Sequence, residues 1–228
     1  MGCALKQGGG LYERLALGAV LLAAGEGRRM GGVIKPLICL QGVPLIRRAL
    51  VALSGAGIDE VAVVTGYRHE AVAEAIMEFP VTVVYNADYA AGQQGSVRRG
   101  LEALSPTLDG VMIVLADQPL IGADDLTELI AAFKKRPAGH VVVPMVEGKR
   151  GNPILLDGFA REEVLRSEFN LGCRHLIEHR PELVHVHETA NQRFVTDLDT
   201  LEDVESLSAR TGWRFSLPAM DEPSAVSR

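Results

Sequence analysis

Short apolar runs alternate along this chain with longer segments of helical periodicity. The first run, Ala19-Val20-Leu21-Leu22, is apolar on both faces, as a strand buried between two layers must be. Val61-Ala62-Val63-Val64, Val81 to Tyr85 and Val111-Met112-Ile113-Val114-Leu115 repeat the pattern. Between them the spacing predicts helices over Pro44 to Ala56, Glu70 to Glu78 and Ser96 to Leu104. Pro44 suits a first helical turn, Gly57 suits a stop, and Pro80 ends the second helix. The pattern continues with a helix from Asp124 to about Lys135 and strands at Val141 to Val143 and Ile154 to Leu156. Helices at Glu162 to Arg166 and Gly172 to His179, a strand at Val184 to His187 and a helix starting near Thr200 complete it.

Strands alternating with helices at such regular intervals predict an α/β fold. The expected architecture is a doubly wound, mostly parallel sheet with right-handed crossovers, in a single domain. That domain is expected over residues 18–212. An extension at 1–17, with Gly8 to Gly10, precedes it. A loose tail at 213–228, with Pro218, Pro223 and three serines, follows it.

Composition narrows the class. A chain of 228 residues, 47% hydrophobic and 23% charged, can bury one substantial α/β core. A net charge of -6 argues against a nucleic-acid footprint. Cys3, Cys39 and Cys173 are too scattered for a disulfide framework or a zinc knuckle, which suits a reducing cytoplasm. No apolar run reaches the length of a membrane span. The apolar stretch Leu15 to Ala24 is flanked by Glu13 and by Glu26, Arg28 and Arg29, so it reads as a buried strand and not as a signal peptide.

The candidate chemistry lies at strand ends. Leu22-Ala23-Ala24-Gly25-Glu26-Gly27-Arg28-Arg29-Met30-Gly31-Gly32 leaves the first strand, with Lys35 three residues on. Small residues let backbone approach a ligand, and successive free N–H groups form an anion nest. In open α/β sheets ligands sit beyond the carboxyl ends of the strands. The loop has neither the Rossmann glycine spacing nor a Walker Gly-Lys-Ser/Thr. No Asp or Glu occurs from Gly27 to Ile58, while Arg28, Arg29, Lys35, Arg47 and Arg48 do, a balance that suits a triphosphate. Asp117 ends the strand at 111–115 just before Gln118-Pro119, where a buried carboxylate wants a partner such as Mg²⁺. Asp197 and Asp199 lie two apart near the last helix, which Thr200 and Asp203 are spaced to cap. One of the two is expected to join Asp117 on the metal. Asp124 is expected to cap its own helix.

These motifs in order resemble the MobA-like nucleotidyltransferase family. They are Leu-Ala-Ala-Gly-x-Gly-x-Arg-Met-Gly at 22–31, Lys35, Asp117-Gln118-Pro119, Arg150-Gly151-Asn152-Pro153 and Asp197-Leu198-Asp199-Thr200-x-Glu202-Asp203. Within the family the chain looks most like the molybdenum cofactor cytidylyltransferases (MocA type), from about Gly18 to Leu207. The resemblance implies a Rossmann-like fold of the nucleotide-diphospho-sugar transferase type. It implies that Leu22, Ala23, Ala24, Gly25 and Gly27 wrap the nucleotide, and that Arg29 and Lys35 hold its triphosphate. Asp117 and Asp199 would bind Mg²⁺, and Gln94, Gly95 and Ser96 would sit near the base. Lys35, Arg29 and Asp117 are then the catalytic candidates. The Ala-Ala-Gly and Asp-Gln-Pro forms lean towards CTP, with molybdopterin as acceptor and a molybdoenzyme or its chaperone as partner. Ala24 would narrow the space above the loop, and Gln118 could offer its amide to substrate.

Three departures fall mostly on the acceptor side. Lys35 follows Gly31 one residue late, and Asn152 stands where His is common. Phe169-Asn170-Leu171-Gly172-Cys173-Arg174 lacks the first Gly and the Asp of a Gly-Asp-x-Gly-x-Arg pattern. The alternatives left open are GTP as donor, methylerythritol phosphate or a sugar phosphate as acceptor, and a non-catalytic module that delivers finished cofactor. His175 with His179 and His185 with His187 read as exposed pairs, Cys173 as a packed thiol, and Ser96 lacks the flanks of a nucleophile elbow.

Overall fold

The computed structural model describes residues 14–166 and 172–218. The first thirteen residues of the expected extension, the tail beyond Pro218 and the Phe169-Asn170-Leu171 part of the departing motif lie outside the described residues.

The elements run in the order β1 Leu17–Ala23, β2 Cys39–Leu40, β3 Val43–Pro44, α1 Leu45–Gly55, β4 Glu60–Thr65 and α2 His69–Ala75. Next come β5 Thr82–Tyr85, α3 Gln93–Ala103, β6 Gly110–Leu115, α4 Ala123–Lys135, β7 Val141–Val146 and β8 Lys149–Arg150. The chain continues through β9 Ile154–Asp157, α5 Gly158–Arg166, α6 Gly172–His179, β10 Val184–Glu188, α7 Leu201–Thr211 and β11 Phe215–Ser216.

The large sheet has the order β10-β7-β9-β6-β1-β4-β5, with β8 paired to β7. The β1, β4, β5 and β6 pairings are parallel, as is β10 with β7, while β9 runs against both β6 and β7. The sheet is therefore mostly parallel and wound on both faces. Period-two alternation along β1 shows why the strand is apolar throughout. Leu17, Ala19, Leu21 and Ala23 face a layer holding Ile46 and Leu53 of α1, Val72 of α2 and Leu126, Leu129 and Phe133 of α4. Val20 and Leu22 face Val97 and Leu101 of α3, Ala160 and Val164 of α5 and Leu176 of α6.

A third, smaller cluster gathers Met30, Val33, Ile38, Leu40 and Leu45 around Leu198, Val204 and Leu207. It packs the glycine loop against α7. The small sheet β11-β2-β3 closes it, and Phe215 packs into it. Residues 213–218 are therefore not the loose tail expected from their composition: Phe215 and Ser216 pair antiparallel with Leu40 and Cys39. At the other end, Arg14 donates to the Gly57 carbonyl and to Asp59, and the Ala16 amide donates to Asp109. The folded part thus starts before residue 18.

Helix starts also move, and α5 begins at Gly158 and not at Glu162. α3 begins at Gln93, because Gly92 (φ 126) breaks the chain just before it. α4 is capped by Asp125, whose Oδ2 accepts from the Gly122 amide at 2.8 Å; Asp124 does not take that role. Among the described residues no helix is long and apolar enough to cross a membrane.

Candidate active site

The loop after β1 holds its shape through one carbonyl. Gly27 O accepts from the amides of Met30 (2.8 Å) and Gly32 (3.1 Å), which folds residues 27–32 into a tight ring. Gly27 has φ 61, and a Cβ there would lie 2.2 Å from the Val33 carbonyl oxygen, so only glycine fits. Gly25, by contrast, has nothing within 4 Å of the place a Cβ would take. That open space faces a cavity of about 530 Å³ at the carboxyl ends of β1 and β6.

Lys35 reaches into this cavity from the one-turn helix after the loop. Its Nζ donates to Asp117 Oδ2 at 3.1 Å and to Asp199 Oδ1 at 2.7 Å. Arg29 pairs with the other oxygen of Asp199 at 2.8 Å. The Lys35 side chain is only 14% exposed. Burial works against its charge, but the two carboxylates outweigh burial and hold the ammonium above its usual pKa. Asp117 sits one residue past Ala116, just after β6, and Asp199 one residue before the N-cap of α7. The two segments are tied directly, since the Leu198 amide donates to the Asp117 carbonyl at 3.0 Å. Asp203 anchors the second one: its Oδ2 accepts from the amides of Asp199 and Thr200 and from the Thr200 hydroxyl.

Asp197 lines the same cavity. Burial first, then the neighbouring Asp199 and Asp117, raise its carboxyl above the usual range. Asp117 and Asp199 crowd Asp197 even with Lys35 and Arg29 paired to them, and a cation on the carboxylates would relieve that crowding. The donor set is all oxygen, which suits Mg²⁺ or Mn²⁺. Among the described residues no group of three or more His, Cys, Asp or Glu forms a cage by itself. A metal here would share Asp117 and Asp199 with phosphate oxygens and water, as Mg²⁺ commonly does.

Most residues singled out in the sequence meet in one place. Leu22, Ala23, Ala24, Gly25, Arg29, Lys35, Ser96, Asp117 and Asp199 all line the cavity, and Gly27 lines its outer rim. Gln94 and Gly95 do not. They line a neighbouring cavity of about 720 Å³ between α3 and α6, and Gln93 lines the first cavity instead. Because residues 93–96 are already helical, Gln93 and Ser96 share one face and Gln94 and Gly95 lie off it; Gly92 was the signal that could have shown the early start. Tyr89, also on the cavity wall, is a residue the sequence did not single out. It packs so closely that a Cβ on Gly66 would be 2.5 Å from its own. Gln118 turns away from the cavity. It is 7% exposed, and its Nε2 donates to the backbone carbonyls of Asn152 (3.2 Å) and Phe194 (3.1 Å). The other candidates behave as packing or surface groups. Burial pushes the Cys173 thiol up to about 12, so it is no nucleophile. His175 and His179 stack on each other, and His187 pairs with Glu128 at 2.8 Å.

The glycine loop, Lys35 and Asp117 all fall within a stretch that matches a known domain. The sequence profile of the MobA-like NTP transferase domain aligns with residues 19–186.

The chain belongs to the MobA-like NTP transferase family. It is therefore a nucleotidyltransferase of that family. Among its relatives is nicotine blue oxidoreductase of Paenarthrobacter nicotinovorans, 26% identical over 193 residues, covering 82% of this chain and 94% of that one. The fold matches Rv0371c from Mycobacterium tuberculosis H37Rv with a TM-score of 0.72 at 24% identity, over 85% of this chain and 97% of that one. That protein has also been solved in complex with manganese, matching here with a TM-score of 0.66. A 4-diphosphocytidyl-2C-methyl-D-erythritol synthase from Anaerococcus prevotii matches with a TM-score of 0.68 at 19% identity, over 87% and 96%. The MobA-like profile ends at residue 186, so Asp197 and Asp199 lie past the matched stretch.

Proposed function

We propose that this MobA-like enzyme transfers CMP from CTP to the terminal phosphate of molybdopterin and releases pyrophosphate. The observation that carries the transfer is Lys35, held between Asp117 and Asp199 at the mouth of an open glycine loop. The acceptor phosphate attacks the α-phosphorus, a new P–O bond forms, and the bond to the bridging oxygen breaks. The electron pair leaves with pyrophosphate. A phosphate monoester has a second pKa near about 6, so the attacking oxygen is already ionised and needs no general base. The protein's task is then orientation and charge neutralisation.

The glycine loop would cradle the triphosphate with its backbone. Lys35 and Arg29, both held at the cavity by carboxylates, would meet the leaving pyrophosphate as it gains charge. Asp117 and Asp199 would hold Mg²⁺, which supplies charge neutralisation at the phosphate oxygens when bound. The preference for CTP rests on the Ala24 methyl, which lines the cavity wall, and on the motif resemblance. Gln118, occupied with backbone, no longer supports it.

The test is pyrophosphate release with each nucleoside triphosphate, with and without molybdopterin and with methylerythritol phosphate as a rival acceptor. CTP turnover that depends on molybdopterin is expected. Turnover with GTP and molybdopterin moves the chain to guanylyl transfer. Binding of finished cofactor without any turnover makes it a delivery module. Because one relative is named nicotine blue oxidoreductase, conversion of nicotine blue should be followed in parallel and should be absent.

A further inference from the structure

Gln118 follows Asp117 directly in the chain yet does not line the cavity. Its amide is buried against two backbone segments from other parts of the sequence. One carbonyl, from Asn152, belongs to the turn after β8; the other, from Phe194, belongs to the one-turn helix Gln192–Val195. These two segments are also bonded to each other, Asn152 N to Phe194 O at 2.9 Å. They touch so closely that a Cβ on Gly151 would lie 2.7 Å from the Phe194 oxygen. Four residues beyond Val195 the chain delivers Asp199.

The Gln118 Oε1 has no partner although it is buried. A buried acceptor left unpaired costs stability, and a methionine of similar volume would fill the space without that cost. The use of an amide here therefore lies in its two N–H groups. Together with the Leu198–Asp117 backbone bond, they give the segment carrying Asp199 two attachments to the end of β6.

We infer that Gln118 is a positioning residue that sets the separation of Asp117 and Asp199, and so the strength with which the pair holds a divalent cation. It acts through the Phe194 carbonyl and touches neither nucleotide nor metal. The inference rests on the metal role given above to the two carboxylates.

The experiment compares wild type with Gln118→Met, which keeps the bulk and removes the donors. Mn²⁺ alone is titrated against each protein and followed by thermal shift. CTP is titrated calorimetrically in EDTA. The methionine variant should need at least about fivefold more Mn²⁺ for half the shift, as expected when a supporting bond behind a ligand is lost. Its CTP affinity in EDTA should stay within about twofold, because the glycine loop hangs from β1 and not from these segments. A lower melting temperature with an unchanged Mn²⁺ midpoint would make Gln118 a packing residue and overturn the inference. So would a tenfold loss of CTP affinity, which would put the side chain on the nucleotide. If Gln118→Met does not fold, Gln118→His, which keeps one ring N–H, takes its place and should show a smaller shift in the same direction. A wild type blind to Mn²⁺ overturns the metal assignment and this inference together. A wild type that binds Mn²⁺ but turns over no nucleotide overturns the proposed reaction alone, and the Mn²⁺ titration still decides Gln118.

Discussion

Lys35 occupies the point between Asp117 and Asp199 and keeps its proton there, so substrate meets a charge that is already placed. Preorganised charge of this kind contributes to rate more than to affinity. Lys35→Ala should lower kcat by at least about a hundredfold, while Arg28→Ala, whose partner is the exposed-loop Glu26, should change it by less than about threefold. Steady-state pyrophosphate release measures both; a loss under threefold for Lys35→Ala would reduce that side chain to a structural counterion. Asp117→Ala should drop turnover below about one per cent and leave the unfolding temperature near that of wild type, since Lys35 keeps Asp199 as a partner and Asp197 loses a like charge beside it. Calorimetric unfolding on the same sample separates loss of function from loss of fold. At this scale the sequence was a good guide to residue type at strand ends. It misjudged direction: Gln118 carries the right chemistry but points into backbone, and only the path of residues 150–153 and 192–195 decides that.

Elements with a strong period were readable from sequence alone, as β1, β4, β6 and α1 show, because burial on one or both faces sets their pattern. The two-residue strands β2, β3, β8 and β11 were not, since a pair of residues has no period; β2–β3 and β7–β8 are held by tight local turns, and β11 by β2, far away in the chain. The glycine loop lies between these cases. Its composition marked it, but the ring closed on the Gly27 carbonyl did not show. Gly27→Ala must force a Cβ against Val33 O and a left-handed backbone on alanine, the latter alone costing about 1–2 kcal/mol. The variant should melt about 4–8 °C lower, the shift that roughly 2 kcal/mol gives a domain of this size. Gly25→Ala, with open space at its Cβ, should melt near wild type yet bind nucleotide more weakly. Equal melting temperatures for the two variants would contradict this account of the loop.

At the scale of the whole molecule, the cavity is bounded by the β1 loop on one side and by the first turn of α3 on the other. The Ala24 methyl narrows that space from the loop side, which crowds a purine more than a pyrimidine. CTP should exceed GTP by at least about tenfold in kcat/KM, which needs only about 1.4 kcal/mol of differential binding. Side-by-side kinetics decide it, and equal rates would remove the cytidylyl preference without touching the transferase class.

The bond from Leu198 to Asp117 joins residues 81 positions apart, and Lys35 lies 164 positions from Asp199. Closing such distances is the slow part of assembling a chain, because the entropy of the loop is lost before the contact rewards it. Helices and the β1–β4 pairing can form while the last forty residues are still unattached. During refolding from denaturant the far-UV signal should therefore return first and transferase activity only after a measurable lag. Competence, on this view, is the final event in the life of a newly made chain, acquired when its last helix docks.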